Sequence, residues 1–275
     1  MSSAEGKRAA SEAVTVARLR AMKEAGQPVA CLTAYDYGFA AACERAGVDL
    51  LLVGDSLGMV VQGQETTLPV TVDDVVYHTR CVARACRRSL VVADLPFMSH
   101  TDVASGLHTA GRLVKEGGAR MVKLEGGADQ AALVERLAES GIPVCGHLGL
   151  KPQRIHKLGG YRVQGRALVD AEAMESDARA LEAAGADLII VECVPAPLAR
   201  HLSAQLGIPV VGIGAGAGCD GQILVLHDAL GVSAQPPRFA RDFSDGAGSV
   251  QQALAAYVDA VRTGTFPGPE HEFEA

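Results

Sequence analysis

Several things are missing from this sequence, and each absence removes a class of function. No segment approaches the ~18 uninterrupted apolar residues of a membrane span, and residues 1–26, MSSAEGKRAASEAVTVARLRAMKEAG, contain no apolar leader core. A cytoplasmic protein with no membrane partner is the expectation. The seven cysteines, at positions 31, 43, 81, 86, 145, 193 and 219, are dispersed, and none forms a C-x-x-C pair. That argues against zinc-ribbon or thioredoxin chemistry and leaves reduced, structural thiols. Basic residues are in the minority, 25 Lys plus Arg against 32 Asp plus Glu for a net charge of -7. Such a balance disfavours nucleic acid and points to a small-molecule partner. With 48% hydrophobic and 21% charged residues, the bulk of the chain has the composition of a folded domain.

What is present is a repeated alternation. Continuously apolar runs of strand length occur at PVACLTA, DLLLVGD, SLVVADLPF, ARMVKLEGG, GIPVCGHLG, ADLIIVECV, GIPVVGIGA and GQILVLHD. Runs without polar alternation suit strands buried on both faces, as in a parallel sheet. Between them lie helical patterns such as DDVVYHTRCVARACRR, DVASGLHTAGRLVKEGG, DQAALVERLAES and DAEAMESDARALEAAG. Strand alternating with helix predicts an α/β protein. Eight βα units in 275 residues favour a single (β/α)₈ TIM barrel, one domain over residues 1–275, rather than an open doubly wound sheet. Thr15 to Glu24 reads as an additional helix, with Val16, Leu19 and Met22 on one face, placed to cap the barrel floor. The stretch from Leu148 to Val169 is too long for a routine βα loop and suits a lid or an interface. Residues 1–14 and 264–275 are expected to be loose.

Barrel enzymes work at the C-terminal ends of their strands. Here the second run ends in Asp55-Ser56, the third in Asp94, the fourth in Lys123 and Glu125, the fifth in His147 and the sixth in Glu192. Carboxylates that terminate apolar runs are costly to bury without a counter-charge, and a bound cation is the simplest remedy. Asp55, Asp94 and Glu125 offer hard oxygen ligands without clustered Cys or His, which fits Mg²⁺. The plainer alternative is that one or two of them pair with Lys123 or cap a helix. Lys123 and Glu125, two apart, share one face of a strand. His147 is either a core histidine bonded to backbone or a catalytic one. Burial of Glu192 in LIIVECV would push its pKa toward that of a general base, unless it pairs with Lys123 or His147. Gly212-Ile-Gly214-Ala-Gly216-Ala matches G-x-G-x-x-A, but it follows the seventh strand and lacks the acidic partner of a dinucleotide site. A glycine turn there more often shapes the pocket or receives a phosphate.

Longer motifs run through the same positions: LTAYD (32–36), VGDSLGMVVQG (53–63), TTLPVT (66–71), DLPFMS (94–99), VKLEGG (122–127), GHLGLKPQ (146–153), GGYRVQG (159–165) and CDGQILVLHDALG (219–231). Together they resemble the ketopantoate hydroxymethyltransferase family. The resemblance covers about Thr15 to Gly231 and implies a (β/α)₈ barrel of decameric assembly. It also implies transfer of a hydroxymethyl group from 5,10-methylenetetrahydrofolate to 3-methyl-2-oxobutanoate, giving 2-dehydropantoate. By the same resemblance Asp55 and Asp94 would hold Mg²⁺ and Glu125 would complete its shell. Ser56 and Lys123 would bind the oxoacid carboxylate, His147 could hydrogen-bond the oxoacid, and Glu192 would be the base. After Phe239, ARDFSDGAGS has less of the family's basic and aromatic character, which puts contacts made there in doubt. The nearest alternative is an oxoacid lyase or mutase of the isocitrate lyase and phosphoenolpyruvate mutase kind, and a non-catalytic binding barrel is the other.

Overall fold

The computed structural model describes residues 13–274. In chain order they form α1 (Val16–Glu24), β1 (Val29–Thr33), α2 (Tyr37–Ala46), β2 (Leu50–Val53), α3 (Leu57–Val60), α4 (Val72–Ala85), β3 (Leu90–Asp94), α5 (Val103–Arg112), β4 (Met121–Glu125), α6 (Ala131–Glu139) and β5 (Val144–Gly149). Then follow α7 (Ile155–Leu158), α8 (Leu168–Ala183), β6 (Leu188–Glu192), α9 (Ala196–Gln205), β7 (Val210–Ile213), β8 (Gly221–Leu224), α10 (Leu226–Ala229) and α11 (Val250–Thr263). The eight strands close into one parallel barrel in sequence order, β8 returning to β1 with Cys31 beside Ile223. Each predicted apolar run contains one strand. Every residue of β1 to β5 is buried, as two-sided burial requires. No helix among the described residues is long and apolar enough to cross a membrane.

Five helix starts carry side-chain caps. Thr15 accepts from the Arg18 amide, Asp36 from Phe39 and Ser249 from Gln252, while Thr71 with Asp74 and Asp102 with Ser105 form reciprocal boxes. α1 lies across the floor as its pattern predicts. Leu19 and Met22 are buried, and Lys23 binds Asp220 at 2.7 Å and the Ser203 carbonyl at 2.7 Å. Arg20 reaches Asp187 at 2.9 Å, so α1 is tied to the residues that precede β6 and β8.

The alternation breaks once, against expectation: residues 214–220 join β7 to β8 without a helix. Gly214 and Gly216 have φ of +58° and +81°, and a Cβ on them would fall 2.6 Å from Phe239 and 2.5 Å from Ala196. These glycines therefore serve a tight turn under close cover. The cover comes from the C-terminal residues, which are not loose as expected. The Ala196 amide donates to the Phe273 carbonyl at 2.9 Å, the Ala217 amide to the Glu272 carboxylate at 2.9 Å, and Phe266 and His271 are buried. The segment after Phe239 is likewise packed, with Phe243 edge-on to Tyr257 and Phe266. At the other end Val14 is buried and its amide donates to the Arg88 carbonyl at 2.8 Å, whereas residues 1–12 lie outside the described residues.

Candidate active site

A cavity of about 660 Å³ opens at the C-terminal ends of the strands. Asp55, Ser56, Asp94, Lys123, Glu125, His147 and Glu192, all singled out from the sequence, line it together. Register explains the gathering: Asp94 on β3 stands beside Lys123 on β4, and Glu125 beside His147 on β5. Gly149, at the end of β5, has φ +85°, and a Cβ there would be 2.2 Å from the Glu192 carbonyl, so only glycine lets the chain turn away past β6. Cys193, immediately after Glu192, holds φ +48°, local strain of the kind that accumulates at functional sites.

The charges form a connected set. Lys123 Nζ lies 2.8 Å from Asp94 Oδ2 and 4.0 Å from Glu125 Oε1. His147 bridges two carboxylates, with Nδ1 3.3 Å from Glu125 Oε1 and Nε2 3.2 Å from Glu192 Oε2, close contacts that lack hydrogen-bond alignment. The Asp55 amide donates to Asp94 Oδ2 at 3.3 Å. Thus the plainer alternatives partly hold: Asp94 does pair with Lys123, and Glu192 does pair with His147. Neither pairing exhausts the carboxylates. Asp94 Oδ1 and Glu125 Oε1 are buried with no hydrogen-bond donor.

Burial, with the Asp94 charge beside it, pushes the Asp55 carboxyl well above its ordinary pKa despite Lys123 and Gln153. Burial also opposes the Lys123 charge, but Asp94, Glu125 and Asp55 outweigh it and hold the ammonium above its usual value. For Glu125, burial is overcome by His147 and Lys123, and the pKa falls. For His147, burial and Lys123 are overcome by Glu125 and Glu192, and the pKa rises. Glu192 is the more open member, its side chain 16% exposed against 1–5% for Asp94, Lys123, Glu125 and His147. It has access to whatever fills the cavity.

Sequence reading missed Gln153. This side chain, in the turn after β5, donates from Nε2 to Asp55 Oδ2 at 2.9 Å and to the Leu95 carbonyl at 3.0 Å, while its amide donates to Glu125 Oε2 at 3.1 Å. Its signal was its place in GHLGLKPQ. The long segment that carries it continues across the mouth, where the Tyr161 hydroxyl meets Met59 Sδ at 3.5 Å. Ser56 Oγ sits 2.8 Å from the Tyr35 hydroxyl.

A divalent cation is the remaining question. Among the described residues no three His, Cys, Asp or Glu side chains are drawn together as a ready-made cage. That geometry disfavours a protein-enclosed ion such as structural zinc. It is compatible with Mg²⁺, which commonly takes one or two carboxylates and leaves other positions to substrate and water. The donor-less oxygen of Asp94 fits that need.

Comparison with known proteins agrees with this geometry. A model of the ketopantoate hydroxymethyltransferase family matches residues 13–269. The chain is 78% identical over 275 residues to the 3-methyl-2-oxobutanoate hydroxymethyltransferase of Halorhodospira halophila (strain DSM 244 / SL1), covering 100% of each. It is 63% identical over 261 residues to the protein of the same name from Alkalilimnicola ehrlichii, covering 94% of each. Among solved structures, a putative phosphonomutase from Burkholderia cenocepacia J2315 superposes with a TM-score of 0.62 at 20% identity, covering 78% of this chain and 93% of that one. Phosphonopyruvate hydrolase complexed with oxalate and Mg++ gives 0.60 at 13% identity, covering 89% and 95%. At such identities these two show the barrel alone. The chain belongs to the ketopantoate hydroxymethyltransferase family.

Proposed function

We propose that this mouth takes 3-methyl-2-oxobutanoate and adds a hydroxymethyl group from 5,10-methylenetetrahydrofolate, giving 2-dehydropantoate for pantothenate synthesis. The observation that carries the reading is the joining of Asp55, Asp94, Lys123, Glu125, His147 and Glu192 around one cavity, with two carboxylate oxygens lacking donors. Asp55 and Asp94 would hold Mg²⁺, with Glu125 adding its charge to the shell. When bound there, the ion would polarise the keto group and stabilise negative charge developing on it. The Mg++ in the hydrolase of similar fold supports the choice of ion.

The chain's own residues do the rest. Lys123 and Ser56 attract and orient the oxoacid carboxylate, the ammonium by charge and the hydroxyl, set by Tyr35, by hydrogen bonding. Glu192 removes the proton from carbon three, and His147, 3.2 Å away, holds its carboxylate in place. Carbon three then bonds to the one-carbon unit of the folate, with one water consumed and tetrahydrofolate released. Gln153 keeps Asp55 and Glu125 in register while the segment above it limits access of water. The same reading places the enzyme in the cytoplasm as a homo-oligomer, whose size light scattering would measure.

The test is direct. Incubation with 3-methyl-2-oxobutanoate, Mg²⁺ and 5,10-methylenetetrahydrofolate should yield 2-dehydropantoate, and chelation should stop it. No product under these conditions would refute the assignment.

A further inference from the structure

The cavity has a second end that the chemistry above leaves unused. Its volume, about 660 Å³, is several times what a five-carbon oxoacid fills. The rim from β2 to β6 supplies the charged groups, whereas the rim from β7 through β8 supplies Ile213, Ile223 and Val225, continued by Val232, Pro237 and Phe239. Four polar side chains interrupt this apolar wall, Ser233 and Gln235 between Val232 and Pro237, and Asp228 and His227 deeper in. Asp228, in α10, is only 7% exposed, yet it lines the cavity. His227 lines it too, with Nδ1 buried and without a hydrogen-bond partner, and its ring packs against Tyr35 at 5.6 Å.

A buried carboxylate on an apolar wall is expensive unless a ligand pairs with it. Burial raises the Asp228 pKa, with Ser233 and His227 only partly offsetting it. Burial lowers that of His227 despite the neighbouring Asp228 charge. Among the described residues no Lys or Arg lines the cavity at this end, and Lys123 on β4 is the one such side chain in its wall. Charge thus sorts the two substrates. The anionic oxoacid is drawn to Lys123, together with the Mg²⁺ that Asp55 and Asp94 would hold, and repelled by Asp228. A flat, neutral heterocycle with two parallel N–H donors on one edge suits the other end, because a carboxylate accepts such a pair side by side.

We propose that Asp228 is the recognition residue for the 2-amino-4-oxopteridine ring of a reduced folate, accepting from its 2-amino group and ring N3–H, with His227 beside it and Val225, Val232, Pro237 and Phe239 against the ring faces. The assignment rests on the reading that the carbon donor is a reduced folate. It orients the donor so that the ring is buried in the β7–β8 end, its one-carbon unit faces the charged end, and the glutamate tail, repelled by Asp228, leads out to solvent.

Binding of tetrahydrofolate to the full chain, measured by calorimetry with Mg²⁺ and oxoacid present, tests this. Asp228→Asn should weaken it by about 10–100-fold, the loss of one charge-assisted pair, while oxoacid affinity stays at the wild-type value. Should the variant fail to fold, the wild-type protein and a tetrahydrofolate analogue lacking the 2-amino group provide the same contrast, again with a 10–100-fold loss expected. Equal affinity of the variant and the wild type, or of the analogue and its parent, overturns the assignment while leaving the folate reading standing. Wild-type protein that binds no tetrahydrofolate at all overturns both.

Discussion

The two ends of the barrel treat acidic residues in opposite ways. At the floor, the aspartates that precede the strands each have a cation: Asp49 pairs with Arg88 and Arg262 and accepts the Ala30 amide, Asp187 pairs with Arg20, and Asp220 with Lys23. At the mouth, Asp55, Asp94, Glu125 and Glu192 share the single ammonium of Lys123 and the imidazole of His147. Two of their oxygens have no donor. The floor is assembled for stability, with charges satisfied within the chain. The mouth keeps charge unsatisfied for a ligand, and the fold carries that cost.

Breaking the mouth should have the largest effect. Asp55→Ala or Asp94→Ala should abolish turnover and Mg²⁺ binding, yet leave the barrel folded, because neither side chain builds the core. Calorimetric Mg²⁺ titration reads this, and a variant with wild-type affinity and rate would place the metal elsewhere. Asp55 also carries a signature in pH. Its folded pKa is raised, so its contribution to stability is present below the unfolded value of about 3.9 and is lost as pH rises through the folded value. Without divalent ions, Asp55→Asn should therefore equal or exceed the wild type in stability at pH 7 and lose that advantage near pH 4, as measured by denaturant unfolding.

The floor should answer in the reverse sense. Asp49→Ala removes a buried carboxylate that Arg88, Arg262 and the Ala30 amide share and should cost about 1–3 kcal/mol of stability, while the folded fraction turns over at the wild-type rate. A lower rate per folded molecule would erase the contrast between the two ends. Gln153 belongs to the mouth but acts through Asp55 and Glu125. Gln153→Leu should reduce Mg²⁺ affinity or turnover by about 10–100-fold, with little change in melting temperature. The smallest effect is expected at Arg20, whose side chain is 50% exposed. Arg20→Ala should cost no more than about 1 kcal/mol.

Much of this was legible in the sequence because barrel strands are buried on both faces, so eight apolar runs stand out whatever the helices do. The rim residues were legible for the same reason, since a charge that ends an apolar run is conspicuous. The glycine turn after β7 was legible too, but not the loss of the helix that should follow it, and the tail that covers it has only Phe266, His271 and Phe273 scattered among Gly, Pro and Glu. Asp228 ends the eighth run, GQILVLHD, and so carried the same signal unread, whereas Gln153 escaped because its importance lies in what it faces, residues 58 and 98 positions away. Such a relation leaves no periodic trace.

The central claim, that the mouth holds its charge for proton abstraction, is tested most directly at Glu192. Glu192→Gln keeps size and hydrogen bonding but removes basicity. Exchange of the carbon-three proton of 3-methyl-2-oxobutanoate with D₂O, followed by proton NMR in the presence of Mg²⁺, should fall by at least ~10²-fold, with Mg²⁺ and oxoacid binding retained. Exchange at the wild-type rate would contradict the account and move the base to another group at the mouth.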